Sequence, residues 1–221
     1  LSPMDMKARQ NLIDQLVARG QVDDAIREYI ELADTYYRLA ELDNARKTYT
    51  TALRVVQQSN ADRQWNVHIL QRMADIDMQK LDWKQAIRIY EQMRTLRPDD
   101  EGARKSLIDL SLRLGQQAQA AAELESYNSY LQSSNNGARS IPFIEELLEE
   151  RPDDSTLIRT LAMSYHQAGR VEDAVAKLDT LAEGLLEANK KEEAIVIINQ
   201  ILLMGPANAE QYRQLLMQLQ G

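Results

Sequence analysis

The chain has no cysteine, one phenylalanine, two histidines, five prolines and eight glycines in 221 residues. Each shortage removes a class of answer. Without Cys there is no disulfide framework, no thiolate chemistry and no Cys-based zinc site. The histidines, His68 and His166, stand far apart, and the place four residues on is taken by Arg72 and Arg170 rather than by a ligand. No metal pair is expected there. A Gly-rich phosphate loop, a Gly-x-Ser-x-Gly elbow and a His-Glu-x-x-His pair are all missing. No enzyme, no cofactor and no metal are therefore expected. There is no run of about 18 apolar residues, so no membrane-crossing helix and no membrane partner are expected. A formal charge of −8 argues against nucleic acid, whose binding rests on clustered Lys and Arg. The chain opens on Leu1 and closes on Gly221, and reads as a piece of a longer protein, with a cytoplasmic setting expected.

What is present favours helix. Apolar residues make up 44% and charged residues 27%, with Ala, Leu, Gln, Glu and Arg plentiful. These side chains lose little rotamer freedom in a helix, while scarce Gly and Pro act as punctuation. Turn positions fall at Gly20, Ala40, Leu81, Gly115, Asn135, Gly169 and Asn189, the Asn135 turn in SSNNGARS being the poorest match. Gly and Asn suit the left-handed residue that ends many helices. Five residues after six of these turns comes an alanine: Ala25, Ala45, Ala86, Ala120, Ala174 and Ala194. Its small size lets two helices approach closely. Acidic residues such as Asp23, Asp24, Glu172, Asp173, Glu192 and Glu193 crowd the following first turns, where they complement the positive helix end.

The pattern resembles the tetratricopeptide repeat, a 34-residue helix–turn–helix unit. Ala86, Tyr90, Met93 and Pro98 carry its second-helix signature best, followed by Ala45, Tyr49 and Ala52, and by Ala194, Ile198, Ile201 and Pro206. First-helix matches are Leu32, Ala33 and Tyr36, and Leu161, Ala162 and Tyr165. Asp77 and Gln57 depart from the pattern, standing where an aromatic and a Pro are expected. The resemblance implies an all-α, right-handed α–α superhelix, a solenoid of about twelve helices.

Successive turns are 20, 41, 34, 20, 34 and 20 residues apart. A step of 34 is one repeat, and 41 is one repeat with an insertion around QQSNADR. A step of 20 has no room for two helices, so one long helix must serve two repeats, over roughly 22–39, 117–134 and 171–188. This explains why RPDD recurs at Arg97–Asp100 and Arg151–Asp154: 54 residues are 34 plus 20. The expected organisation is one solenoid domain over 1–221, with repeats in 1–133 and 140–221 and a joint at 134–139.

Arrays of this family take a peptide or helix of another protein in a concave groove lined by first helices. Carried over by position, the resemblance implies a surface of Asp34, Tyr37 and Arg38; Gln71, Asp75 and Met78; Lys105, Asp109 and Arg113; and Arg159, Met163 and His166. Asp34, Asp75 and Asp109 stand where a carboxylate-binding clamp needs neutral donors, so chaperone C-termini are not expected as ligands. A protein partner with a basic or amphipathic segment fits better. The alternatives are a regulatory or oligomerisation segment of a larger signalling or transcription protein, and a homodimer formed through the terminal helix at Leu215, Leu216 and Leu219. Tyr29, Tyr36, Tyr49, Tyr90, Tyr165 and Trp83 are expected in the core, with Tyr127 and Tyr130 packed on each other or awaiting a partner.

Overall fold

The computed structural model describes residues 6–59, 61–62 and 64–220. Asn60 and Arg63, within the expected insertion, lie outside the described residues, as do Leu1 and Gly221. Among the described residues there are twelve α-helices and no strand. They form two compact units, Leu1–Leu110 and Ser111–Gly221. The first contains α1 (Met6–Ala18), α2 (Val22–Arg38), α3 (Leu42–Gln58), α4 (Gln64–Gln79), α5 (Trp83–Leu96) and most of α6 (Glu101–Arg113). The second contains α7 (Gln117–Ser133), a 3-10 turn at Gly137–Arg139, α8 (Ser140–Glu150), α9 (Ser155–Gln167), α10 (Val171–Glu187), α11 (Lys191–Leu203) and α12 (Ala209–Gln220).

All seven turn positions read from the sequence have positive φ, from 56° at Leu81 to 77° at Gly169. Each closes the same pair of hydrogen bonds. At Gly20, its N–H donates to Val17 O at 3.0 Å, and Gln21 N–H donates to Leu16 O at 2.9 Å. At Asn135, the position least like the others in sequence, the same bonds run to Gln132 O at 3.2 Å and from Asn136 to Leu131 O at 2.7 Å. This motif satisfies carbonyls that a helix end would otherwise leave unpaired. It also turns the chain out of one helix and into the next within two residues. Gly205 is an eighth case, where Pro206 has no N–H to complete the second bond.

Within each unit, helices joined by such a turn pack on one another: α1 on α2, α2 on α3, α4 on α5, α9 on α10 and α10 on α11. The six alanines five residues on are all fully buried, at 0% exposure. The helices flanked at both ends by the seven turns read from the sequence, α2, α7 and α10, are each 17 residues long, about 26 Å at 1.5 Å per residue. The two RPDD segments share a role. Asp100 accepts from Ala103 N–H at 3.0 Å at the start of α6, and Asp154 accepts from Thr156 and Leu157 N–H at 2.9 and 3.1 Å at the start of α9. A carboxylate so placed satisfies orphan donors and opposes the positive helix end.

Within the first unit, α2 and α4 are linked by side chains, with Gln79 donating to the Tyr37 hydroxyl and Arg72 Nε lying 3.7 Å from Asp34. Within the second unit, α7, α9 and α11 form one layer. Thr156 Oγ1 donates to Gln117 Oε1 at 3.1 Å, and Arg159 Nε donates to Gln200 Oε1 at 3.1 Å. The opposite layer includes α10 and α12, joined by Tyr212 OH donating to Asp179 at 3.1 Å.

Tyr49, Tyr90 and Tyr165 are buried as expected, and Tyr127 stacks on Tyr130 at 6.2 Å between centroids while Phe143 meets Tyr127 edge-on at 4.7 Å. Three expected core residues are only half-buried. Trp83 is the first residue of α5, and its counterparts Val22, Leu42 and Val171 are half-buried too. A helix's first residue borders its turn, so one side stays wet. Tyr29 and Tyr36 lie along a polar cleft with Asn44, Lys47 and Thr48 of α3, and their hydroxyl ends are kept near water.

Candidate functional site

The residues carried over from the repeat pattern fall into separate environments. In the first unit, Asp34 is half-buried and engaged within the chain: Tyr49 OH donates to its Oδ1 at 2.5 Å, and Arg72 faces it. Tyr37 accepts from Gln79, and Arg38 donates to Thr35 Oγ1 at 3.0 Å. On α4, Gln71 donates to Asp75 at 3.1 Å, and Asp75 and Met78 are half-buried. On α6, Lys105 lies 3.5 Å from Glu101. Lys105 and Asp109 belong to the first unit and Arg113 to the second.

In the second unit the layer of α7, α9 and α11 forms an open groove of about 1,010 Å³. Its α9 wall presents Thr156, Thr160, Met163 and Gln167, spaced three or four apart and so on one helix face, with Arg159 beside them, three residues after Thr156 and four before Met163. Its α7 wall presents Gln117, Ala118, Ala121, Glu125, Asn128 and Gln132, and α11 adds Gln200. Arg159 and Met163 are thus brought together. Met163 is 46% exposed, an apolar side chain held open beside the amides. His166 is not part of this lining; its Nδ1 is buried without a hydrogen-bond partner among the described residues.

The α7 residues were missed in the sequence because α7 serves two repeats, and its groove-facing positions cannot be copied from an ordinary 34-residue unit. The signal was present in QAQAAAEL, where Ala118 and Ala121 keep the groove open while Ala120 faces the core.

The tyrosine titration shifts come first from burial. Burial, then the hydrogen bond to Asp34, pushes the Tyr49 hydroxyl far above its ordinary 10.0. Burial and then Glu145 raise Tyr165, whose ring also carries the Arg170 guanidinium 4.2 Å above its centroid. Among the described residues no group of three or more Asp, Glu or His is arranged to hold a metal ion, and no helix is long and apolar enough to cross a membrane.

Solved structures to which the chain is similar include a tetratricopeptide repeat protein from Parabacteroides merdae, at 16% identity over 98% of this chain and 99% of that one, with a TM-score of 0.38. MamA is similar at 15% identity over 75% and 94%, with a TM-score of 0.41. YrrB, a TPR protein with an unusual peptide-binding site, is similar at 13% identity over 91% and 97%, with a TM-score of 0.42. No curated protein matches the chain in sequence. The sequence profile of the soluble NSF attachment proteins matches residues 5–151, more than half of the chain. Built from tetratricopeptide-type helix pairs, the chain belongs to the soluble NSF attachment protein family, SNAP.

Proposed function

We propose that the chain is a non-catalytic scaffold that holds a segment of a partner protein, with the α7–α9–α11 groove of the second unit as its main seat. The observation that supports this is the groove's lining. Gln117, Asn128, Gln132, Gln167 and Gln200 are amides, and each can both donate and accept. An extended segment needs that from a surface, because every non-proline residue presents one donor and one acceptor on its backbone. Met163 supplies an adaptable apolar contact among them. In the first unit, Gln71, Asp75 and Met78 on α4 form a smaller stretch suited to a partner residue carrying Lys or Arg.

The test is photo-cross-linking from position 163 in lysate of the source cells, with the cross-linked segment read by mass spectrometry. A single partner segment, lost in Ala121→Arg, supports the reading. A partner captured equally by Ala121→Arg moves the binding surface off this groove.

Self-association is a second reading. Leu203 is 86% exposed at the end of α11 and Met217 68% exposed on α12, with Leu215 and Leu219 half-buried. Leu216, expected at the same patch, is buried in the fold. Light scattering of the wild type and of Leu203→Ser with Met217→Ser separates the readings: a dimer lost in the double variant favours self-association.

A further inference from the structure

Helix α9 has a second face that the groove above does not use. At about 100° per residue, Ile158 and Leu161 point away from the stripe of Thr156, Arg159 and Met163. They floor another groove of about 820 Å³, walled by α8 on one side and α10 on the other. Its surface is apolar at Leu148, Ile158, Leu181 and Leu185, all half-buried rather than covered.

Its two rims differ in charge. Glu149 and Asp153 stand on the α8 side and Lys177 on the α10 side. All three are exposed, and none has an ion-pair partner among the described residues. Gly184 leaves room for another backbone to approach here. It sits inside α10, and a Cβ added to it would meet nothing within 4 Å. Glycine is among the poorest helix formers, and neither packing nor backbone geometry in this chain requires it.

We infer that this groove docks an amphipathic α-helix of another protein, basic along the flank facing Glu149 and Asp153 and acidic opposite Lys177. Apolar side chains at i, i+3 or i+4, and i+7 fill the floor, and the partner backbone crosses over Gly184. The eleven residues of α8 set the contact length, about 16 Å or three helical turns. A second copy of this chain is a poorer occupant, since a formal charge of −8 on each sets copies against one another.

The probe is a fluorescent, side-chain-stapled synthetic helix with Leu at i, i+3 and i+7 and Lys along one flank; its twin carries Glu for Lys. Each is titrated into the full chain and followed by anisotropy. The Lys helix is expected to bind at least about tenfold more tightly than its twin, a difference of the size that paired rim charges produce. The double variant Glu149→Lys, Asp153→Lys reverses that preference. Gly184→Leu abolishes binding with no loss of helical signal or melting temperature. Equal binding of the two helices, no binding of either, or binding untouched by a folded Gly184→Leu overturns the inference. So does a concentration-dependent dimer that Gly184→Leu dissolves, because that assigns the groove to a second copy.

Discussion

Arg46 on α3 grips Asp77 on α4 through two parallel hydrogen bonds, Nε to Oδ1 at 2.8 Å and Nη2 to Oδ2 at 3.0 Å. The Asp77 side chain keeps 6% of its exposure and that of Arg46 22%. Asp77 stands where the repeat pattern calls for an aromatic, so a forked ion pair joins these helices where ring packing otherwise would. Removing one partner strands the other. Asp77→Ala should cost the first unit about 3 kcal/mol, the low end for a broken buried pair because Arg46 keeps some access to water. Replacing both residues with Leu should recover most of the loss. Trp65 and Trp83 are the only tryptophans and both lie in the first unit, so tryptophan fluorescence in urea reads that unit alone. A loss below about 1 kcal/mol would place the pair with ordinary surface bridges.

Tyr49 should make stability fall in alkali. Its hydroxyl is raised from 10.0, first by burial and then by the hydrogen bond to Asp34. The folded chain therefore keeps this proton while the unfolded chain releases it, and the unfolded state binds fewer protons above about pH 10. The contribution is complete below that pH and is lost as pH rises beyond it. Tyr49→Phe should cost about 1 kcal/mol at neutral pH through the lost hydrogen bond, yet flatten the alkaline decline. Urea midpoints measured on either side of pH 10 check both halves; an unchanged slope would mean that Tyr49 is not the titrating group.

Leu81 holds φ at 56° and is 72% exposed. A left-handed conformation costs a residue bearing Cβ roughly 1 kcal/mol that glycine avoids. Leu81→Gly should therefore stabilise the first unit by about that amount, although it deletes a large apolar side chain. At Gly169, with φ 77°, Gly169→Ala should cost the second unit a similar amount. Urea midpoints by fluorescence for the first, and hydrogen-exchange protection of α9 and α10 for the second, give the two signs. Two losses would mean that the Leu81 side chain has a packing role.

The turns were legible in the sequence because their constraint is local. A positive φ selects Gly or Asn, and the fixed distance to a buried Ala marked Ala40 and Leu81 even without that chemistry. Depth was less legible. Trp83, Tyr29 and Tyr36 occupy apolar-pattern positions, but pattern reports direction and not whether another helix covers the whole side chain. The division between units falls at Leu110–Ser111, inside α6, where LIDLSLRL carries no Gly or Pro to mark it. Of the groove, Arg159 and Met163 could be carried over from the repeat. Gln117 and Ala121 could not, because α7, with a turn at each end, belongs to two repeats; Gln200 could not, because α11 carries a second-helix signature and the groove was read from first helices.

Asp154 ties the legible part of the sequence to the candidate site. It caps α9 through Thr156 and Leu157 N–H, and Thr156 in turn donates to Gln117 across the groove. Asp154→Ala should cost about 1 kcal/mol, the usual worth of such a cap. The second unit lacks Trp, so hydrogen exchange is the suitable probe: protection should fall in the first turn of α9 and hold near Ser164 and Tyr165. If the groove is the seat proposed, partner capture at Met163 should weaken too, because the α9 wall loses its fixed end. Asp100→Ala removes the matching cap on α6 and serves as the control. It should cost similar stability and leave capture at Met163 unchanged; equal weakening by both variants would trace the effect to general loss of stability rather than to the α9 wall.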